Sequence, residues 1–190
     1  MTGTRPKVDT KSRIQAIALE LFAEQGYEKT SLREIAERLG VTKAALYYHF
    51  KTKEDIVASL FDDFLSHVDE ITEWARNQVV DEASRKEVVR RYAQMLNGPG
   101  EAVIQFVHGN QSAVRDLKDS DHLFERFREL SGLLTDSAAP LTTQLKNSMA
   151  LPMLHIGYFG PFELNASTQE RRAAALDVAL ELVSSPSTED

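Results

Sequence analysis

The chain has 190 residues, 42% of them hydrophobic, enough for one or two small domains with real cores. It holds no cysteine, which excludes disulfides, cysteine nucleophiles and thiol redox sensing. The formal net charge of −7 argues at first against nucleic acid, but residues 1–53 carry ten Lys/Arg against six Asp/Glu, while residues 54–190 carry twelve against twenty-three. A basic N-terminal third therefore precedes an acidic remainder, and only that third needs to meet phosphates.

Residues 1–9 are polar, with Arg5 and Lys7 as candidate phosphate contacts. Thr10 is expected to cap a helix from Lys11 to about Gln25, because Ile14, Ile17, Ala18, Leu21 and Phe22 form one stripe and Gly26 stops it. Tyr27 follows in a loop and is expected to pack on that core. Ser31 to Gly40 reads as a second short helix: Ser31 and Glu34 have capping-box spacing, Ile35, Ala36 and Leu39 form the buried stripe, and Gly40 tolerates positive φ at the end.

Thr42 to Phe50 reads as a third helix with two unlike faces. At about 100° per residue, Leu46 and Phe50 point one way, Ala44 and Tyr48 the other, with Ala45 and Tyr47 beside them. Two exposed phenols are costly unless something packs on them. Small residues beside aromatic hydroxyls, with Thr42 as N-cap and Lys43 in the first turn, suit a DNA major groove. A surface helix covering a neighbouring domain fits this stretch equally well. The preceding helix and the tight Gly40-Val41-Thr42 link tilt the balance, since helix, short glycine turn and helix is the helix-turn-helix pattern with its second helix as reader.

From Lys53 the positions Ile56, Val57, Leu60, Phe61, Phe64, Leu65, Val68, Ile71 and Ala75 keep helical spacing to about Gln78, longer than a small head requires. A further helix spans about Glu82 to Leu96, and Asn97-Gly-Pro-Gly100 breaks the chain. Glu101 to about Leu117 follows, with Val103, Ile104, Phe106 and Val107 ahead of His108, Gly109, Asn110, Gln111 and Arg115. These polar groups beside an apolar wall suit either a ligand pocket or a helix end bent at Gly109. Another helix starts at Ser120 or Asp121. Asp119, Asp121, His122 and Glu125 read as a solvated acidic helix start rather than a metal site.

Pro140 opens a last helix pair, with Leu141, Leu145, Met149, Met153 and Ile156 on one stripe and a kink expected at Pro152. Gly157 to Asn165 reads as a loop. Ser167 and Glu170 form another capping box, before Ala173, Leu176, Ala179, Leu180 and Val183; residues 184–190 are a polar tail. The most apolar stretch, Met149 to Phe162, is interrupted by proline and glycine and is too short to span a bilayer, and no secretory signal precedes the first helix. A soluble cytoplasmic protein, with no membrane partner, is the expectation.

The run Gly26-Tyr27, Thr30-Ser31-Leu32-Arg33-Glu34-Ile35-Ala36, Leu39-Gly40-Val41-Thr42-Lys43, Leu46-Tyr47-Tyr48-His49-Phe50 and Lys53-Glu54 resembles the DNA-binding domain of the tetracycline-repressor (TetR/AcrR) family, over residues about 10–60. The resemblance implies an all-α homodimer with a helix-turn-helix head at residues 1–53 and a helical ligand-binding and dimerisation body at residues 54–190. It implies a regulator, usually a repressor, that binds a roughly palindromic double-stranded operator and releases it when a small-molecule effector binds.

Site residues follow by position. Thr42 and Lys43 would contact backbone and bases, Ala44 and Tyr48 would lie against bases, and Tyr47 and His49 would reach phosphates. His49 is equally well read as a histidine satisfied at the helix C-terminus. Arg33 matches a base-edge reader, Lys53 a phosphate clamp, and Thr30 and Ser31 complete the DNA-binding set. With alanine at 44 and 45, few base-reading hydrogen bonds are available from the third helix, which raises the weight of Arg33 and of DNA shape.

Aromatic and polar residues within the apolar body helices are the candidate ligand contacts: Phe64, His67, Trp74 and Tyr92 in the first half, and Phe106, His108, Phe127 and Tyr158 in the second. In the family the last helix pair meets its twin in a four-helix bundle. That assigns Leu145, Met149, Met153 and Ile156, with Leu176, Ala179, Leu180 and Val183, to the dimer interface; an intramolecular core fits the same periodicity. No cofactor or metal is called for.

Two readings compete with the regulator. An enzyme carrying a DNA-binding head finds no support, because the chain has no Gly-x-Ser-x-Gly, no phosphate-cradling glycine loop and no paired histidines at metal spacing. An interaction module that no longer binds DNA is disfavoured by the retention of Lys43, Tyr47 and Lys53.

Overall fold

The computed structural model describes residues 10–98, 100–110, 114, 120–159 and 165–184. Among these residues the secondary structure is entirely helical: α1 (Thr10–Gln25), α2 (Leu32–Leu39), α3 (Lys43–His49), α4 (Lys53–Arg76), α5 (Glu82–Leu96), α6 (Glu101–Gly109), α7 (Ser120–Gly132), α8 (Leu141–Phe159) and α9 (Thr168–Leu182). Residues 1–9, the continuation of α6 expected as far as Leu117 with its Arg115, and Asp119 lie outside the described residues, apart from a helical Val114.

Local chemistry sets the helix ends. Ser31, Thr52, Asp81 and Ser167 each cap the helix that follows in a reciprocal box, with Glu34, Asp55, Ser84 and Glu170 returning the bond. Thr10 is the first helical residue of α1 rather than its cap, and α4 closes at Arg76, two residues short of Gln78.

The largest revision concerns Gly157. The helix expected to end there continues to Phe159, and Gly157 is buried against α9. A Cβ at this position would lie 3.0 Å from the Arg172 Cα and 3.1 Å from the Ala175 Cβ, so the glycine serves the close approach of two helices, not a turn.

The apolar side chains sort into two clusters. One, in the head, gathers Ile14, Ala18, Leu21 and Phe22 of α1 with Ile35, Leu46 and Phe50, and takes in Ile56 and Val57 from α4 and Phe106 from α6. The other, in the body, gathers Phe64, Val68, Tyr92, Leu96, Leu130, Leu151 and their neighbours. Each fully buried leucine of this kind contributes about 1.5–3 kcal/mol. Asn147 is buried in the body because its Nδ2 donates to the Leu134 carbonyl at 2.9 Å.

The two clusters share one long helix. α4 packs on α1 at its start and on α5 and α7 further along. A polar seam ties it to the head: Gln15 donates through Nε2 to Ser59 Oγ and Asp63 Oδ2, both at 2.9 Å, and Lys11 reaches Asp63 at 3.3 Å. Towards its far end, Asp69 and Arg76 pair with Arg126 and Glu129 of α7.

Candidate nucleic-acid interface

The turn between α2 and α3 decides what α3 exposes. Gly40 stands at φ 73°, ψ 31°; its N–H donates to Glu37 and that of Val41 donates to Ala36 at 3.0 Å, a Schellman closure. Thr42 then caps α3 by accepting from the Ala45 N–H at 3.2 Å. With Leu46 and Phe50 buried, the seven-residue helix has only one orientation available to it.

That orientation puts Thr42, Lys43, Ala44, Ala45, Tyr48 and His49 in solvent. Tyr48 is 82% exposed, and its ring meets that of His49 edge-to-face. Lys43 Nζ lies 5.3 Å from the centre of the half-buried Tyr47 ring. A phenol kept in water on a helix of small residues beside a lysine can stack on sugar or base edges and donate to a phosphate.

The flanking candidates divide. Arg33 is exposed and holds Glu37 at 2.7 Å, a surface pair that a phosphate or base edge can displace. Ser31 is exposed, but its hydroxyl is committed to Glu34 at 2.7 Å. That carboxyl is held below its usual range chiefly by the Ser31 hydroxyl and backbone N–H. Thr30 corrects the sequence reading: it is 2% exposed, and its hydroxyl donates to the Gly26 carbonyl at 2.9 Å, so its side chain braces the α1–α2 loop and is closed to DNA.

Lys53 is half-buried and donates to the Tyr27 carbonyl at 2.7 Å, over the same residue's ring. It is first a tie between α4 and the loop. Sequence reasoning passed over Lys51, which is exposed just after α3 and donates to the Tyr47 carbonyl. The signal was there: a lysine two residues past a recognition helix adds charge where phosphates pass.

Tyr27 joins head to body. Its hydroxyl donates to Glu54 Oε1 at 2.8 Å, its N–H to Asn110 Oδ1 at 3.3 Å, and its ring meets Phe22 and Phe106 edge-on. Burial, then the Glu54 carboxylate, pushes the phenol pKa up, so it stays protonated and donating.

The candidate ligand contacts do not form one site. Phe64 and Tyr92 are core residues, 4% and 0% exposed. Tyr92 and the half-buried Phe127 close around His155, whose Nε2 lies 2.9 Å from the Tyr92 hydroxyl. Arg91 stacks on Trp74 at 4.2 Å, and His67 lines a shallow cleft of about 330 Å³ with Arg91 and Gln94. Phe106, His108 and Tyr158 line a separate cavity of about 700 Å³ between α1, α6 and α8. No group of acidic or histidine side chains able to hold a metal occurs among the described residues; His122 and Glu125 are exposed, 3.5 Å apart.

The interface candidates divide as well. Leu145 and Met149 are exposed, as are Leu141 and Val178, while Met153, Ile156, Leu176 and Leu180 are half-buried. Ala179 and Val183, at 0% and 1% exposure, are removed from the interface set, because both are buried in the body cluster of the protomer itself.

A helical head with an outward-facing third helix, joined by one long helix to a helical body, defines a helix-turn-helix protein. Residues 14–60, the head with the start of α4, match the profile of the bacterial regulatory proteins of the tetR family. It is 41% identical over 63 residues to the HTH-type transcriptional regulator AcrR of Shigella flexneri, covering 33% of this chain and 29% of that one. Against the fatty acid metabolism regulator protein of Bacillus subtilis (strain 168), identity is 25% over 174 residues, 88% of this chain and 86% of the relative. A transcriptional regulator of known structure from Aquifex aeolicus VF5 has the same fold, with a TM-score of 0.68 and 20% identity over 92% of this chain and 99% of its own. Among the described residues no helix is long and apolar enough to cross a membrane.

Proposed function

We propose that this chain is a sequence-specific transcriptional regulator, not an enzyme, acting in the cytoplasm as a homodimeric repressor that a small molecule releases from its operator. The observation that carries this reading is Tyr48, held 82% exposed on a helix whose turn, cap and buried leucine leave it no other orientation. Thr42, Lys43, Ala44, Tyr47 and His49 share the helix, with Arg33, Ser31 and Lys51 beside it.

Dimerisation supplies the second reader. Leu141, Leu145 and Met149 form an exposed apolar stripe on α8, with Val178 on the adjoining α9. A twofold contact through this face presents two recognition helices to half-sites about 34 Å apart or a multiple of that spacing. An effector that favours a different tilt of α4 would separate the readers, and by linkage DNA would weaken the effector by the same factor.

The test is selection of bound genomic fragments by the purified protein, at moderate salt with competitor DNA. Recovered sites should share an inverted repeat, and Tyr48→Ala should lower affinity for them more than for random DNA. Recovery of sequence-blind fragments only, from a protein shown by mass spectrometry to be ligand-free, would remove the proposal.

A further inference from the structure

The cavity of about 700 Å³ between α1, α6 and α8 lies at the joint between head and body, outside the Tyr92–His155 core. Its volume falls within the range of small-molecule sites. Its walls are mostly apolar: Leu19, Phe22 and Ala23 come from the head, Ala102 and Phe106 from α6, and Phe159 from α8. His108 lies flat on Phe159, centroids 4.1 Å apart and planes 13° apart, which makes one wall an aromatic platform.

The polar part of the lining is weighted towards acceptors, with a single carboxylate among the described residues. Glu20 carries a carboxylate that forms no direct ion pair with any described residue, although it feels the charge of Arg38, which is bound to Glu24. Gln105 spends its Nε2 on Glu101 at 3.1 Å, and no described residue engages its Oε1. The Tyr158 hydroxyl gives its proton to Asn97 Oδ1 at 2.7 Å, so only its lone pairs remain to receive a donor. Asn110 accepts from the Tyr27 N–H and donates one of its two Nδ2 hydrogens to the Phe106 carbonyl. Among the described residues, no lysine or arginine lines the cavity. Arg172, stacked on the Tyr158 ring at 4.1 Å, stands outside the lining and is paired with Glu101.

Acceptors, a carboxylate and a flat aromatic wall suit a ligand with a positive donor at one end and an apolar body at the other. They repel a carboxylate or phosphate. We infer that this seam is a binding site for an apolar, aromatic-bodied amine, with its ammonium on Glu20 and its ring system between Phe106 and the His108–Phe159 platform. Phe22 and Phe106, which form its walls, meet at a tilt of 56° with centroids 5.6 Å apart, within the contact between α1 and α6. Occupancy therefore bears directly on how the head sits against the body. That consequence for regulation rests on the DNA-binding reading; the binding itself does not.

The test is calorimetric titration of the full chain, without DNA, by two probes of matched shape: naphthylethylamine and naphthylacetate. The amine should bind saturably and the carboxylate at least tenfold more weakly. Glu20→Gln, an exposed substitution that leaves the fold intact, should weaken the amine about tenfold. Ala102→Trp, checked for native helicity by circular dichroism, should abolish binding by filling the space. The inference is overturned if neither probe binds, if the carboxylate binds as tightly as the amine, or if Glu20→Gln leaves amine affinity unchanged. Because no DNA is present, failure here leaves operator binding standing, and a chain that bound no operator would still be open to this titration.

Discussion

The Lys53 ammonium donates to the Tyr27 carbonyl oxygen at 2.7 Å and lies 4.5 Å from the centre of that residue's ring. A side chain expected to clamp phosphate is thus occupied within the head. It binds the start of α4 to the α1–α2 loop, beside the Tyr27–Glu54 hydrogen bond.

Lys53 and Lys43 should therefore behave differently on substitution. Lys53→Met should lower the unfolding free energy by about 1–2 kcal/mol, because a half-buried carbonyl loses a charged donor. Lys43→Ala should leave stability within about 0.5 kcal/mol and reduce the salt dependence of DNA binding by about one unit of slope. Denaturant melts and binding isotherms across a salt series separate the two. An equal loss of slope in both variants would return Lys53 to the phosphate contacts.

Gly40 sets the angle between α2 and α3. A Cβ at this position would meet nothing within 4 Å, so Gly40→Ala suffers only the backbone cost of φ 73°. That cost is about 1–2 kcal/mol for a residue with a side chain. Thermal denaturation should show the loss directly. A variant as stable as the parent would mean that the turn relaxes to another conformation, and operator affinity would then fall with no loss of stability.

Leu145 and Met149 are 58% and 47% exposed on one stripe of α8. Replacing both with glutamate should leave the protomer's stability nearly unchanged while weakening self-association at least tenfold. Sedimentation equilibrium measures the second quantity. Ala179→Glu should do the reverse and unfold the body, since that position is fully buried in the body cluster.

Burial pushes the pKa of His155 from 6.5 down to about 4. Above pH 6.5 the imidazole is neutral in both folded and unfolded chains and contributes no pH dependence. As pH falls from 6.5 towards 4, the unfolded chain takes up a proton that the folded chain refuses, so stability is lost across that window and levels off below it. Discounted for the ring's partial contact with solvent, the loss is on the order of 2 kcal/mol. In urea melts at pH 7 and pH 4.5, His155→Gln should lose less stability than the parent by about that amount; an equal loss would place the acid sensitivity elsewhere.

The sequence by itself determined the helices, the turn and the face that α3 shows to solvent. These depend on interactions within a few residues: the Ser31–Glu34 and Ser167–Glu170 boxes, the positive φ of Gly40, and the spacing of Leu46 and Phe50. Such signals are written where they act. The tertiary structure decided which member of an apolar stripe faces inward and which polar group is already engaged. Thr30 and Lys53 both look free to contact DNA in a linear reading, yet one is sealed under its loop and the other is bound to Tyr27, through carbonyls the backbone brings to them. Ala179 and Leu145 differ by burial alone, because periodicity defines a face without naming its partner. Gly157 read as a loop residue because glycine serves both turns and close helix contacts, and only the 3.0 Å approach to Arg172 tells which. The seam cavity had no sequence signature, since its walls come from three helices separated along the chain and meet only when the head docks on the body.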